Sequence, residues 1–260
     1  MWIEPSEKPS DFHYQIYKTH PEIFKEIIFA SVRFPKLSEG KLSHLINCLK
    51  YLSIQNLDVL LEYFLRRLDW CSKCQKERNY GYEVFPLYSF KLNFVKQHEQ
   101  YREFLIKLLK VCQEGQAYFH LCLNFLKRIL EYEEFDNKGP KELDNITFEV
   151  FLEWVNGSEA QFKTIILILK EIHPCQSWFE LVRHIVKRTS DPDVWESLYS
   201  AFYFGDYKHR LKMIRQQRRE NDSFEMHQFL NGAEKKLQEM IEREKERESE
   251  ETELKRIYVN

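Results

Sequence analysis

Glycine and proline are scarce in this chain, which has 7 Gly and 8 Pro among 260 residues. Tight hairpin turns depend on these two residues, so the sequence has little with which to connect the strands of a sheet. The few breaks that they make separate apolar segments whose period is about 3.6 residues, which is typical of amphipathic helices. The sequence therefore predicts an all-α protein.

An excess of charge of either sign is also missing. The chain has 39 Lys and Arg against 41 Asp and Glu, a formal net charge of -2. Bulk binding to nucleic acid needs a basic excess or a clear basic face, so the balance argues against it while leaving room for a local patch.

No segment of the sequence is typical of a membrane or export signal. The most apolar stretch, 165–169, is far shorter than the ~20 residues of a membrane span. The N-terminus shows no basic segment followed by an apolar run. Most of the six cysteines lie in apolar helical runs, where a free thiol behaves as a small hydrophobic group. We expect a reduced, cytoplasmic protein without a membrane partner.

The familiar catalytic patterns are absent from the sequence. It has no phosphate-binding loop, no glycine-rich dinucleotide turn and no H-E-x-x-H, because His98-Glu99 lacks the second histidine. HEPN-type helical ribonucleases use an Arg that is followed by a His after four to six residues. Arg219 and His227 miss this spacing by one position. We therefore expect no enzyme and no cofactor, unless catalytic residues converge only in the fold.

A single C-x-x-C, Cys71 and Cys74, lies in a polar segment that we predict to be a loop over 71–85. Zinc needs four ligands, and His44 and Cys48, one helical turn apart, could supply the other two. The alternatives are a redox pair or two thiols without a role. Because no second C-x-x-C exists, we predict no bound zinc.

Apolar stripes indicate where the helices lie. Pro21 suits the first turn of a helix, and Pro192 follows Ser190-Asp191 in a helix-start signature. Two stripes are predicted to face the core of the protein, and they comprise Ile23, Phe24, Ile27, Ile28 and Phe34 in the first helix, and Phe104, Leu105, Leu108 and Leu109 farther along.

The chain divides into an irregular lead-in (1–20), a helical-repeat domain (21–240) with a possible sub-boundary near 133–145, and a charged helical tail (241–260). The predicted helices are short, and each has an apolar stripe that one neighbour would not cover. Stacked antiparallel pairs, as in a HEAT-like or armadillo-like α-solenoid, would bury such stripes. A compact helical bundle is the alternative.

One helix near the C-terminus carries a basic face. Lys208, Lys212, Arg215 and Arg219 repeat at i, i+4, i+7 and i+11. We expect Arg210 and Arg218 to widen this face, and Leu211 and Ile214 to lie opposite it. The face is either solvated and neutralised by the acidic tail, or a contact site for nucleic-acid phosphates or a partner. We favour the solvated, neutralised face. We therefore expect that replacing both Lys212 and Arg215 by Glu, which reverses their charge, leaves partner binding intact.

The C-terminal residues also carry a resemblance. This part of the chain contains the run 195–207, Arg210 and Leu211, Asp222, a helix through Phe229 and a final helix rich in Glu and Arg. The order of these features resembles the HEAT-like C-terminal regions of bacterial antiphage STAND (NACHT-type) NTPases. Gly205 stands in the place of that family's Gly-containing turn, and Phe229 replaces its tryptophan. The family's Tyr…Arg…Leu helix is matched by Tyr207, Arg210 and Leu211. The resemblance implies a sensor-like or regulatory half without a motor, because no nucleotide-binding motif precedes it.

Taken together, these patterns predict a non-catalytic helical-repeat module that binds another protein, in a sensor, regulatory or scaffold role in antiphage defence. The alternative is a nucleic-acid-binding accessory protein that uses the basic helix 208–219. A salt titration separates the two, because phosphate contacts give a steep dependence of affinity on salt.

Overall fold

The computed structural model describes residues 12–33, 45, 48–53, 56–78, 92–114, 119–130, 142–203, 206–221 and 223–259. In these ranges the secondary structure is helical and contains no strand, which confirms the all-α prediction. The chain divides into two compact units, Met1–Asn137 and Lys138–Asn260. This division falls within the predicted break at 133–145.

The first unit contains five α-helices whose bounds the structure defines, a further helical stretch at 48–53, and two short 3₁₀ segments. The α-helices are α1 (Phe12–Thr19), α2 (Pro21–Ala30), α3 (Asp58–Arg78), α4 (Tyr101–Glu114) and α5 (Phe119–Ile129). The 3₁₀ segments are Ser31–Arg33 and Asn93–Gln97. Pro21 occupies the first turn of α2, as the sequence predicted.

Aromatic rings and aliphatic side chains fill the core of the first unit. Phe64 of α3 stacks on Phe125 of α5 with ring centroids 4.1 Å apart. The predicted stripe on α4 is fully buried, because Phe104, Leu105, Leu108 and Leu109 are each 0% exposed. Arg67 is also buried, and its guanidinium donates a hydrogen bond to the carbonyl oxygen of Val32 at 2.6 Å.

Two local predictions for this unit were wrong. Residues 12–19, expected to be irregular, form α1, where Tyr17 packs against the rings of Phe24 and Tyr51. The segment from Cys71, expected to be a loop, continues α3 as far as Arg78. Polar residues there are good helix formers, and Lys73 pairs with Asp69 one turn earlier at 2.5 Å.

The second unit contains six described α-helices. They are α6 (Asn145–Val155), α7 (Glu159–Leu169), α8 (Gln176–Arg188), α9 (Pro192–Tyr199), α10 (Tyr207–Glu220) and α11 (Phe224–Val259), with a 3₁₀ segment at Ser200–Phe202. The predicted start at Pro192 is confirmed, since the Asp191 side chain accepts a hydrogen bond from the backbone N–H of Asp193 at 2.9 Å. Ser158 and Gln161 form a capping box at the start of α7.

The helices of the second unit pack in a regular order. α6 packs against both α7 and α8, while α7 packs against α9. α11 packs against α8, α9 and α10. The core centres on Trp178 of α8, whose ring meets Phe179 and Phe202 edge to face, and whose indole N–H donates to the carbonyl oxygen of Leu169 at 2.9 Å.

Candidate binding surfaces

The basic helix predicted from sequence is α10, and its bounds agree with the prediction. Asp206 caps its first turn, since the carboxylate accepts hydrogen bonds from the backbone N–H groups of Lys208 at 2.9 Å and His209 at 3.3 Å. At the other end, Asn221 donates from its side-chain amide to the carbonyl oxygen of Gln217 at 2.8 Å. Caps at both ends fix the length of the helix and the spacing of its cations.

One side of α10 is buried, and it includes a cation that the sequence placed on the open face. Arg210 is 6% exposed, and its guanidinium hydrogen-bonds to His173 Nδ1 at 2.9 Å and the carbonyl oxygen of Pro174 at 3.4 Å. Gln217, on the same side, donates to Gln176 Oε1 at 2.7 Å. The expectation that Arg210 widens the basic face was therefore wrong, because this arginine fixes α10 to the turn before α8.

A second side of α10 faces α11, where Glu234 neutralises two arginines. Arg215 Nε lies 2.8 Å from Glu234 Oε1, and an Arg218 nitrogen lies 2.6 Å from Glu234 Oε2. Arg218 also donates to Asn231 Oδ1 at 3.1 Å. Arg218 thus points toward α11 rather than widening the open face.

Sequence reasoning missed Glu234, whose side chain is only 11% exposed. A signal was available, because Glu234 follows Ala233 and stands four residues after Leu230, on the buried side of α11. An acid within an apolar stripe calls for a cationic partner on the neighbouring helix, since burial of an unpaired charge is costly.

The remaining side of α10 is open. Lys208, Lys212 and Arg219 are exposed, and they form no ion pair with any side chain that the structure describes. These three cations, which we call the basic stripe, line a shallow groove together with Leu211, Arg215, Gln216 and Glu220. Leu211 therefore lies beside the cations and not opposite them as expected, whereas Ile214 is fully buried.

Among the tail side chains that the structure describes, 241–251, none forms an ion pair with the cations of this groove. In the part of the tail with described side chains, the ion pair is internal and joins Arg247 to Glu251 at 3.9 Å. The carboxylate that balances α10 is Glu234 instead. The basic stripe is consequently a local positive surface in a chain whose net charge is close to zero.

A second surface feature lies on α2. Its predicted stripe is split, because Phe24 and Ile28 are buried whereas Ile23 and Ile27 are 53% and 56% exposed. Ile23 and Ile27 are one helical turn apart and therefore share a face. The prediction that this stripe faces the core was wrong for Ile23 and Ile27, since the buried surface takes only one side of this ten-residue helix. Phe34 lies outside the described residues.

Two of the described cysteines, Cys112 and Cys175, are buried thiols with raised pKa values. Burial raises the pKa of the Cys175 thiol to about 12. The hydrogen bond with Cys122 raises the pKa of Cys112, and burial adds to the effect. Thiols of this kind remain protonated at neutral pH and are poor nucleophiles.

The weak zinc candidate is only partly within the described residues. Cys48 is a buried free cysteine at 3% exposure. His44 and the side chains of Cys71 and Cys74 lie outside the described set. Among the residues that the structure does describe, no group of three or more His, Cys, Asp or Glu side chains could hold a metal ion. The prediction of no bound zinc stays a prediction.

Comparison with known proteins adds no assignment. No family model, curated protein or solved structure matches this chain. Of the helices that the structure describes, none has both the length and the apolarity needed to span a bilayer.

Proposed function

We propose that this protein is a non-catalytic helical-repeat module that binds another protein, and that Ile23 and Ile27 of α2 form part of the contact surface. The observation that carries the proposal is the exposure of these two isoleucines, at 53% and 56% on one helix face. Exposed apolar patches larger than about a few hundred Å² mark interaction sites, and we infer that the two isoleucines form part of such a patch.

The packing of the second unit supports stacked helix pairs as the architecture. α6 contacts α7 within one pair, and each of them also contacts the corresponding helix of the next pair, α8 and α9 respectively. Repeats of the HEAT class stack in this manner and present extended surfaces to their partners. A compact bundle would also accommodate these contacts.

The resemblance of residues 195–260 to the C-terminal regions of antiphage STAND NTPases supports a sensor or regulatory role in bacterial defence. Tyr207 begins α10, and Arg210 anchors that helix to the turn before α8. Phe229, in the position of the family's tryptophan, packs against Trp195 and Tyr199. A large ring at this position therefore has a packing role in this chain.

The test is capture of partners from the native host by the full chain and by an Ile23→Ser/Ile27→Ser variant. A matched control is Leu167→Ser, which changes a 39% exposed leucine of the second unit. We expect specific partners to be retained by the control and lost with the α2 variant, while both variants keep the wild-type melting temperature. Equal capture by all three proteins, or capture of nothing, contradicts the proposal.

The second candidate function is binding of nucleic acid, and the basic stripe is the observation that favours it. Three exposed cations along one helix face could contact successive phosphates. A titration with a single-stranded oligonucleotide over a range of salt concentrations tests this function. An affinity that falls with salt, with a slope of about -0.7 per phosphate contacted, supports it, and no binding at low salt excludes it.

A further inference from the structure

The end of α11 projects from the second unit. Arg215 and Arg218 both contact Glu234, and Arg218 also contacts Asn231, so α10 and α11 run antiparallel. In that register the start of α10 at Tyr207 lies opposite about residue 243 of α11. The helix continues to Val259, roughly 24 Å farther at 1.5 Å per residue. All the side chains from 242 to 251 are exposed.

The projecting end carries glutamates in a row. Glu242, Glu246 and Glu250 follow each other at i, i+4 and i+8, so they share one face of the helix. In the sequence, Glu253 stands three residues after Glu250, a spacing that also falls near the same helix face. We call this row the acidic stripe. Like charges at i, i+4 destabilise an isolated helix by about 0.2–0.5 kcal/mol per pair, so a cationic partner along the stripe would stabilise it.

The acidic stripe matches the basic stripe in length. Lys208 to Arg219 and Glu242 to Glu253 each cover eleven steps of a helix, or about 16.5 Å. The first two charges are four residues apart in both stripes, and so are about 6 Å apart along the axis. Two rods with this spacing can lie side by side with several opposite charges in contact.

From about residue 243 onward, the tail cannot reach the basic stripe of its own chain. As a continuous helix it leads away from α10 beyond Tyr207, whereas the basic stripe runs from Lys208 in the opposite direction. Contact within one chain would require α11 to break near residue 243. A second copy of the chain has no such constraint.

We propose that the acidic stripe of one copy docks along the basic stripe of a second copy, so that the protein self-associates through its C-terminal helices. Glu242, Glu246 and Glu250 approach the exposed cations of α10, and Leu211 in the same groove receives the methylene stems of the glutamates. This contact uses residues of the second unit, whereas Ile23 and Ile27 belong to the first unit, so it does not depend on the proposed partner surface.

The experiment is sedimentation velocity of the full chain over a range of protein and salt concentrations. Two triple reversals are compared with wild type, Lys208→Glu/Lys212→Glu/Arg219→Glu on α10 and Glu242→Lys/Glu246→Lys/Glu250→Lys on the tail. The matched control is Glu244→Lys/Glu248→Lys/Glu251→Lys, which changes the net charge equally on another face of the same helix. Circular dichroism verifies that each variant keeps its helix content.

We expect wild type to self-associate at low salt and to dissociate toward about 1 M salt, where the Debye length falls to about 3 Å. Each stripe reversal should weaken association at least tenfold, and the control should retain it. A mixture of the two reversed proteins should associate, because their charges are exchanged and again complementary. This recovery requires direct contact between the two stripes.

Three results would overturn the inference. They are a wild-type chain that stays monomeric at every concentration tested, a control that dissociates as readily as the stripe variants, and a mixture that fails to associate. Oligonucleotide binding that is lost on reversal of the basic stripe, together with a monomeric wild type, assigns the stripe to nucleic acid instead. Partner capture by the same variants is measured in parallel, so that failure of self-association and failure of the proposed function remain distinguishable.

Discussion

Replacement of Glu234 by Gln tests the account of how α10 is held against α11. The Glu234 carboxylate accepts charge-assisted hydrogen bonds from Arg215 at 2.8 Å and Arg218 at 2.6 Å, and its side chain is 11% exposed. Glutamine keeps one acceptor oxygen but turns an NH₂ group toward a guanidinium, so a donor faces a donor. At least one of the two bonds is therefore lost.

The magnitude follows from the exposure of the three groups. A hydrogen bond to a charged group contributes about 1.5–3 kcal/mol when buried. The arginine side chains are 48% and 39% exposed, so water replaces part of what they lose and reduces the effect. We expect Glu234→Gln to lower the free energy of unfolding by roughly 1–3 kcal/mol.

The matched control is Glu196→Gln, which makes the same chemical change at an exposed pair. Glu196 lies 3.0 Å from Lys236, and the two side chains are 50% and 40% exposed. Such a pair contributes about 0–1 kcal/mol. Urea unfolding followed by circular dichroism gives both values. Equal losses in the two variants, or a gain in stability for Glu234→Gln, would refute the reasoning.

Three further predictions concern packing and capping. Leu108→Ala and Leu181→Ala, at residues that are each 0% exposed, should each lower the free energy of unfolding by about 2–5 kcal/mol; unchanged urea midpoints would contradict the buried stripes. Gly232→Ala should destabilise by about 1–3 kcal/mol, because its Cβ would lie 2.2 Å from Tyr199 Oη, and Tyr199→Phe should reduce this penalty in thermal melts. Burial raises the pKa of Glu142, but hydrogen bonds from Ser177 and Gln176 at the start of α8 outweigh burial and lower it. Because the pKa of Glu142 is lower in the folded state, its carboxylate stabilises the fold above the unfolded pKa of about 4.3, and this stability is lost as the pH falls through the folded pKa. We therefore expect Glu142→Gln to lower the free energy of unfolding by about 0.5–2 kcal/mol at neutral pH and by less in acid. Urea titrations at several pH values measure this difference.

Local patterns predicted the helices where the signal was itself local. The start of α9 depends on Asp191 and Pro192, which are adjacent in the chain. The start of α10 is likewise set by a residue next to its first turn, the capping residue Asp206. The stripe on α4 was recognised because a broad apolar face has to be covered wherever the helix lies. By contrast, the end of α3 was predicted too early, since a loss of apolar period in 71–78 does not end a helix when the residues there are good helix formers.

The face that each side chain presents was decided by tertiary structure. The sequence spacing placed Lys208, Lys212, Arg215 and Arg219 in one row. It could not reveal that Arg215 forms an ion pair with Glu234. Nor could it show that Arg210 points into the unit toward His173. Helical periodicity shows which residues of one helix share a face. Which of these faces is buried depends on where the neighbouring helices pack.

The sequence by itself determined the all-helical class, the near-neutral charge and the row of cations on α10, because each follows from composition or from contacts within a few residues. The tertiary structure decided which cations stay open, why Ile23 and Ile27 face solvent beside the buried Phe24 and Ile28, and how α11 extends past α10. These features depend on residues that are distant in the chain and are brought together by packing. Burial and ion pairing are properties of such contacts, so they appear only when the neighbouring helices are in place.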